Sequence, residues 1–146
     1  MAGLTFPVSQ AGLELPVLVG LDGQATTTLH AAGQPIPPPI LVRGLVDTGS
    51  NATSVATWIL KRLGVGSGVI GSTQTAGGIV QASIHHVSIG ILDPNQPGSP
   101  SFSLPTVLIS ELPFFLPDAD VLVGLNVLLE CNLMLDGPGR KFSLQF

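Results

Sequence analysis

The stretch of this 146-residue chain whose residue types and spacing suggest chemistry is Leu45-Val46-Asp47-Thr48-Gly49-Ser50. The run Ile40 to Val46 is apolar enough to form a strand buried on both faces, and it delivers Asp47 to its end. A carboxylate placed there can activate water if a second carboxyl group lies close enough to share one proton. Like charges at that separation do not both ionise easily, so one acts as base and the other as acid. Asp supplies a short reach, Thr48 can hydrogen-bond across to a neighbouring loop, and Gly49 lets the backbone turn close to the site. Ser50 can add a hydrogen bond to the outer carboxylate oxygen. Taken alone, the tripeptide is equally at home in an ordinary turn.

The elements that would position Asp47 read as mainly β. Short runs rich in Val, Ile, Leu and Thr recur between turn residues, of which 18 Gly and 13 Pro give an ample supply. A first strand is expected over Leu13 to Leu21, ended by a tight turn at Asp22-Gly23. The stretch at about 24–39 ends in Gln34-Pro35-Ile36-Pro37-Pro38-Pro39 and is expected to be an exposed, Pro-rich loop insertion. The best helix is Thr57 to Leu63, with Trp58, Leu60 and Leu63 partly inward, Lys61 and Arg62 near its carbonyl end, and Gly64 as a left-handed stop. Val69 to Leu92 reads as a long hairpin with Ala76-Gly77-Gly78 at its tip, followed by a turn at Asp93-Pro94-Asn95-Gln96-Pro97-Gly98. Further strands are expected at Leu104 to Ile109 and Val121 to Gly124, then a short helix from Asn126. Strands Leu133 to Leu135 and Lys141 to Phe146 close the chain.

Length and composition bound the function. A chain of 146 residues suits a single domain (1–146) with a sizeable core. Five Lys+Arg against nine Asp+Glu leave a net charge of -4 and no basic stripe to hold phosphates, so nucleic acid is not an expected partner. The charge-free segment Leu63 to Leu92 is broken by Ser, Thr, Gln and His, which rules out a membrane-spanning helix there. The first Lys or Arg after Met1 is Arg43, so no basic leader precedes an apolar run. Together with a single Cys131 this suggests a cytoplasmic chain, unless a leader has been removed.

With these elements in place, a family resemblance becomes specific. Leu45-Val46-Asp47-Thr48-Gly49-Ser50, then Thr53-Ser54-Val55, then a helix ending Lys61-Arg62-Leu63-Gly64, resembles the retropepsin-like aspartic peptidases. Thr75-Ala76-Gly77-Gly78-Ile79-Val80 resembles their glycine-tipped flap, and Leu104-Pro105-Thr106-Val107-Leu108-Ile109 the strand that follows. Val121-Leu122-Val123-Gly124-Leu125-Asn126-Val127-Leu128 resembles the hydrophobic-hydrophobic-Gly motif with its helix. The resemblance runs from about Leu15 to Phe146 and implies a closed, barrel-like acid-protease fold with one or two short helices and a β-hairpin flap.

It also implies roles: Asp47 catalytic, supported by Thr48, Gly49 and Ser50; Ala76, Gly77, Gly78 and Ile79 on a substrate-covering flap; Val123 and Gly124 packed beside the catalytic loop. Viral members often carry Arg after that Gly, paired with Asp just beyond the catalytic Ser or Ala. Here the positions hold Leu125 and Asn51, so both partners are absent together and no unpaired charge is stranded. Asn126 can bond to Thr53 instead. The chain contains one Asp-Thr-Gly. Asp22, Asp93 and Asp136 are turn residues, Glu14, Glu111 and Glu130 look exposed, and Asp118 and Asp120 are placed to cap or face water. The missing carboxylate is therefore expected from a second subunit, giving a homodimer that cuts a peptide or protein substrate without metal or cofactor. The alternative is a dimerising or peptide-binding module with little turnover; a precursor that cuts its own N-terminal region or the 24–39 loop is a third.

Other signals carry less. Gly66-Ser67-Gly68-Val69-Ile70-Gly71 matches a dinucleotide fingerprint but follows a helix and opens a strand, the reverse of what phosphate binding requires. His85 and His86 would point to opposite faces of a strand, with no Cys or carboxylate spaced to join either at a metal. Ser50 lacks a nucleophile elbow, Cys131 sits in an apolar stretch as an inert core thiol, and Trp58 suits helix packing. The sequon Asn51-Ala52-Thr53 lies beside the candidate site, which argues against glycosylation.

Overall fold

The apolar runs fold into two sheets whose buried side chains form one cluster, in a computed structural model that describes residues 2–66, 68–96, 98–113 and 115–146. The strands are β1 (Gly3–Pro7), β2 (Glu14–Leu21), β3 (Ile40–Val46), β4 (Thr53–Ala56), β5 (Val69–Thr75), β6 (Gly78–Ile91), β7 (Phe102–Leu112), β8 (Val121–Val123), β9 (Asn132–Asp136) and β10 (Lys141–Gln145). The helices are α1 (Gly23–Ala31), α2 (Thr57–Leu63) and α3 (Leu125–Leu128). The larger sheet has the order β2-β3-β8-β4-β7-β6-β5, and β2 also pairs with β6. Six strands therefore close into a barrel, which leaves β5 outside as a flanking edge strand. The smaller sheet has the order β1-β10-β9.

Alternation explains which faces turn inward. On β2, Leu15, Val17 and Val19 are buried while Glu14, Pro16 and Leu18 are only partly so. Val55, Val87, Ile89, Ile109 and Val121 meet them inside the barrel, where each contributes about 1.5–3 kcal/mol relative to an exposed side chain. Phe6 stacks on Phe142 across the smaller sheet at a centroid distance of 5.3 Å, and both join the same core.

Helix α2 has the expected bounds. Gly64 takes φ 74°, and Val65 N–H bonds to Leu60 O at 3.0 Å while Gly64 N–H bonds to Lys61 O at 3.1 Å, a Schellman-type stop. Its buried side chains are Ile59, Leu60 and Leu63. Trp58, expected partly inward, is 40% exposed and lies under the Arg62 guanidinium, with its Nε1–H donating to Asp120 Oδ1 at 3.3 Å.

Three expectations need correction. The 24–39 insertion is not loop throughout, because its first half is helix α1. Asp22 does not close a tight turn; its Oδ1 accepts the Ala25 N–H at 2.8 Å as the helix cap. Asp-Gly serves either structure, and three consecutive Thr, poor helix formers, hid the helix. Strand β1 was not anticipated, since its five residues are defined by pairing with β10 at the far end of the sequence. The short helix α3 begins at Leu125, one residue earlier than expected. In the turn expected after the hairpin, Asp93 O accepts the Gln96 N–H at 2.9 Å, while Pro97 lies outside the described residues. Ser67 of the dinucleotide-like match lies outside them too, but Val69 to Gly71 are strand, not the helix start that phosphate binding needs. Among the described residues no helix is long and apolar enough to cross a membrane.

Candidate active site

Asp47 stands where three strands meet. β8 passes between β3, to which it is parallel, and β4, to which it is antiparallel, so it threads beside the loop that joins those two strands. The register pairs Val46 with Val123, and Asp47 N–H donates to Val123 O at 2.9 Å, which fixes the start of the loop. Gly49 N–H donates to Asp47 Oδ1 at 3.1 Å and sets the carboxylate's orientation. Thr48 and Gly49 are exposed and Asp47 is half-buried.

The rest of the loop is held from the β8 side. Leu125 N–H donates to Ser50 O at 2.9 Å and Asn126 N–H to Asn51 O at 3.2 Å. Asn126 Oδ1 accepts both the Thr53 N–H at 3.0 Å and the Thr53 hydroxyl at 2.9 Å, while its Nδ2 donates to Leu108 O at 2.7 Å. The Thr53 hydroxyl oxygen in turn accepts the Gly124 N–H at 3.1 Å. Asn126 thus bonds to Thr53, the contact anticipated above, and both ends of its side-chain amide are engaged, the oxygen with the loop and the nitrogen with β7. The absence of a side chain at Gly124 is what permits this approach: a Cβ there would run into the Ala52 carbonyl and lie 3.0 Å from Ser50 O.

Ser50 departs from expectation. Its side chain is buried, and its hydroxyl donates to Ala52 O at 2.8 Å instead of reaching the carboxylate. The local Ser50–Ala52 bond closes the turn, and a hydroxyl so engaged has no further proton to offer Asp47.

The hairpin of β5 and β6 folds over this loop. Its two-residue tip is Ala76-Gly77, with the Thr75 hydroxyl donating to Gly78 O at 2.8 Å and Gly78 at φ 111°. A Cβ built on Gly49 would sit 3.0 Å from Ala76 Cβ, so the tip rests directly on the loop that carries Asp47. Ile79 is exposed on the returning strand.

Several other acidic side chains are engaged elsewhere. Glu14 accepts from Ser9 at 3.0 Å, Asp93 from Asn95 at 2.9 Å, Asp136 from Gly139 at 2.9 Å and Glu111 from Thr57 at 3.1 Å. Glu111 is not simply exposed. Strand pairing brings its Oε1 to 3.4 Å from the Nε2 of buried His85, an atom with no hydrogen-bond partner. Sequence spacing did not disclose that contact, because the two residues meet only across β6 and β7. His86 faces the opposite side and is exposed. Among the described residues no three His, Cys, Asp or Glu side chains gather as a metal site would require.

Cys131 is half-buried; burial and then the neighbouring Glu130 push its thiol pKa up. The thiolate is the reactive form, so iodoacetamide at pH 8 is expected to label the folded protein more slowly than the urea-unfolded chain. Equal rates would contradict that environment.

No known protein family's sequence profile matches the chain, and no curated protein matches it in sequence. Among solved structures, a retropepsin-like aspartic protease from Rickettsia conorii superposes with a TM-score of 0.64 at 12% identity, covering 99% of this chain and 91% of that one. The closed six-stranded barrel with three short helices is thus a retropepsin-like fold.

Proposed function

We propose that the chain is one subunit of an aspartic endopeptidase whose site is completed by Asp47 of a second copy. The observation that carries this reading is the placement of Asp47: a carboxylate oriented by the Gly49 N–H, pinned through its backbone to β8, beneath a glycine-tipped hairpin. Such a carboxylate, paired with its symmetry mate, polarises a water that attacks the peptide carbonyl. The protonated member of the pair donates to the carbonyl oxygen and later to the leaving nitrogen. Thr48 is exposed and has no hydrogen-bond partner for its hydroxyl among the described residues, which leaves that hydroxyl available to the opposite subunit's loop. Ile79 and Val80 are exposed on opposite faces of the hairpin, so the one that faces the cleft favours substrates with apolar side chains near the cleaved bond.

The smaller sheet supplies a surface for the second copy. Among the described residues β9 has one strand neighbour, β10. Leu133 and Leu135 pair with Leu144 and Phe142 and share their inward face, yet Leu135 is 61% exposed where Phe142 is 1% exposed. Helix α3 leads from the Ser50 carbonyl towards β9, with Leu129 uncovered between them, so this edge follows directly from the site loop. Antiparallel packing of β9 against its copy about a two-fold axis would cover Leu135. Leu135→Asp is expected to weaken association about 100-fold or more, because symmetry places the charge in the interface twice. Sedimentation at micromolar concentration checks this, and an unchanged dimer would move the interface elsewhere.

The reading is tested by incubating the protein with a diverse peptide library from acidic to neutral pH and sequencing the products by mass spectrometry. Cleavage confined to the dimeric fraction is expected. A demonstrably dimeric protein that cuts nothing would favour the second reading, a peptide-binding or dimerising module. One observation favours that alternative: Ala76 rests on Gly49, so the cleft of the protomer is covered.

A further inference from the structure

The outer edge of β5 is where an extended peptide would add as a strand, and part of that edge is already occupied. Gln74 donates its backbone N–H to Asn51 Oδ1 at 3.0 Å and accepts the Asn51 N–H through its carbonyl at 3.0 Å. In an antiparallel strand the N–H and C=O of one residue point to the same side, so Gln74 turns both groups away from Ile79, its partner on β6, and towards the loop after Asp47. The hydroxyl of buried Thr73 donates to the same Oδ1 at 3.2 Å. Asn51 is itself anchored, since its carbonyl accepts the Asn126 N–H at 3.2 Å.

The geometry points to Asn51 as a latch that holds the flap on the catalytic loop by occupying the Gln74 backbone groups an incoming peptide must take. The inference deepens the peptidase reading and rests on it for its link to substrate. It also gives the Asn at this position a role of its own. An Asp paired to an Arg would be drawn towards that charge, whereas Leu125 offers no charge here and the Asn51 side chain binds the hairpin instead. A peptide N–H and C=O replace the Asn51 N–H and Oδ1 at Gln74 one for one, so at Gln74 opening exchanges hydrogen bonds, and the Thr73 hydroxyl alone must find a new acceptor. The contact of Ala76 with Gly49 must part in the same movement.

The test uses the full chain without substrate first. In Asn51→Ala, amide exchange at Gln74 is expected to quicken about fivefold, the effect of one ordinary hydrogen bond, while exchange at core residues such as Val87 and Ile109 stays as it was. Asn51→Asp retains an acceptor oxygen and is expected to restore protection at Gln74. Unchanged exchange at Gln74 in Asn51→Ala, or acceleration spread equally over the core, would overturn the latch. In the peptidase assay Asn51→Ala is expected to lower KM about fivefold with kcat little changed, because a competitor for the cleft has been weakened. A raised KM would overturn the competition by showing that Asn51 holds substrate instead. If the wild type cleaves no peptide, the exchange measurements still decide the latch, so the two ideas fail separately.

Discussion

Replacing Asp47 by Asn is expected to reduce peptide hydrolysis about 10⁴-fold, the upper part of the range for a positioned acid–base group, with the fold and the dimer unchanged. The amide fills the same space, and its oxygen can still accept the Gly49 N–H that orients the native carboxylate. What it cannot do is take a proton from water or return one. The shared site makes a sharper forecast for mixtures. If each site needs two Asp47 carboxylates, wild-type subunits mixed and re-equilibrated with an excess of Asp47→Asn form mostly heterodimers with a single carboxylate. Activity per total subunit should then fall as the square of the wild-type fraction, whereas a site complete within one chain would give a linear fall. Mass spectrometry of peptide products across the mixing series separates the two curves, and hydrolysis that survives in pure Asp47→Asn would remove Asp47 from the mechanism altogether.

Gly124→Ala is expected to be the most damaging small substitution for the fold. The backbone at this residue, φ -90° and ψ -176°, is accessible to alanine, so the cost is steric and not conformational. The new methyl meets the Ala52 carbonyl and the Ser50 oxygen, main-chain atoms that cannot rotate aside as a side chain would. A loss of about 3 kcal/mol, at the high end for overpacking, corresponds to roughly a 10 °C fall in Tm for a domain of this size. The loop that presents Asp47 takes the displacement, so activity should disappear well below the melting transition. Gly137→Ala, where a Cβ would have nothing within 4 Å, is the control expected to melt with the wild type. Calorimetry of both variants checks the pair, and a Gly124→Ala protein as stable as the control would mean that β8 does not press on the loop as described.

The parts of the fold that were legible in the sequence are those fixed by local signals. β3 has the bounds its apolar run suggested, α2 ends at Gly64 because only a left-handed residue fits there, and the hairpin turns at Ala76-Gly77. The close approach at Gly124 and the bond from Thr53 to Asn126 could be anticipated from residue types carried on a family pattern. What escaped depends on partners distant in sequence or on cues with two meanings. β1 is a strand by virtue of β10, His85 finds Glu111 only across two strands, and Asp22-Gly23 opens a helix with the same side-chain bond that would close a turn. Ser50 was misread because the local Ala52 carbonyl outcompetes the carboxylate for its proton. Asn51 gave no sign of its hold on Gln74, since nothing in a sequence reports which strand edge will lie over a loop.

The threading of β8 between β3 and β4 also sets the order in which the Asp47 loop can be assembled. Thr53 and Asn126, which lock the loop, are 73 positions apart, and Asp47 N–H finds its acceptor only on Val123. A nascent chain whose β8 is still inside the ribosome therefore carries Asp47 on an unsupported loop. Closing so long a loop is slow relative to hairpin formation, so the β5–β6 hairpin is in place first. Synthesis itself thus leaves the Asp47 carboxylate without its backbone anchor until β8 has emerged.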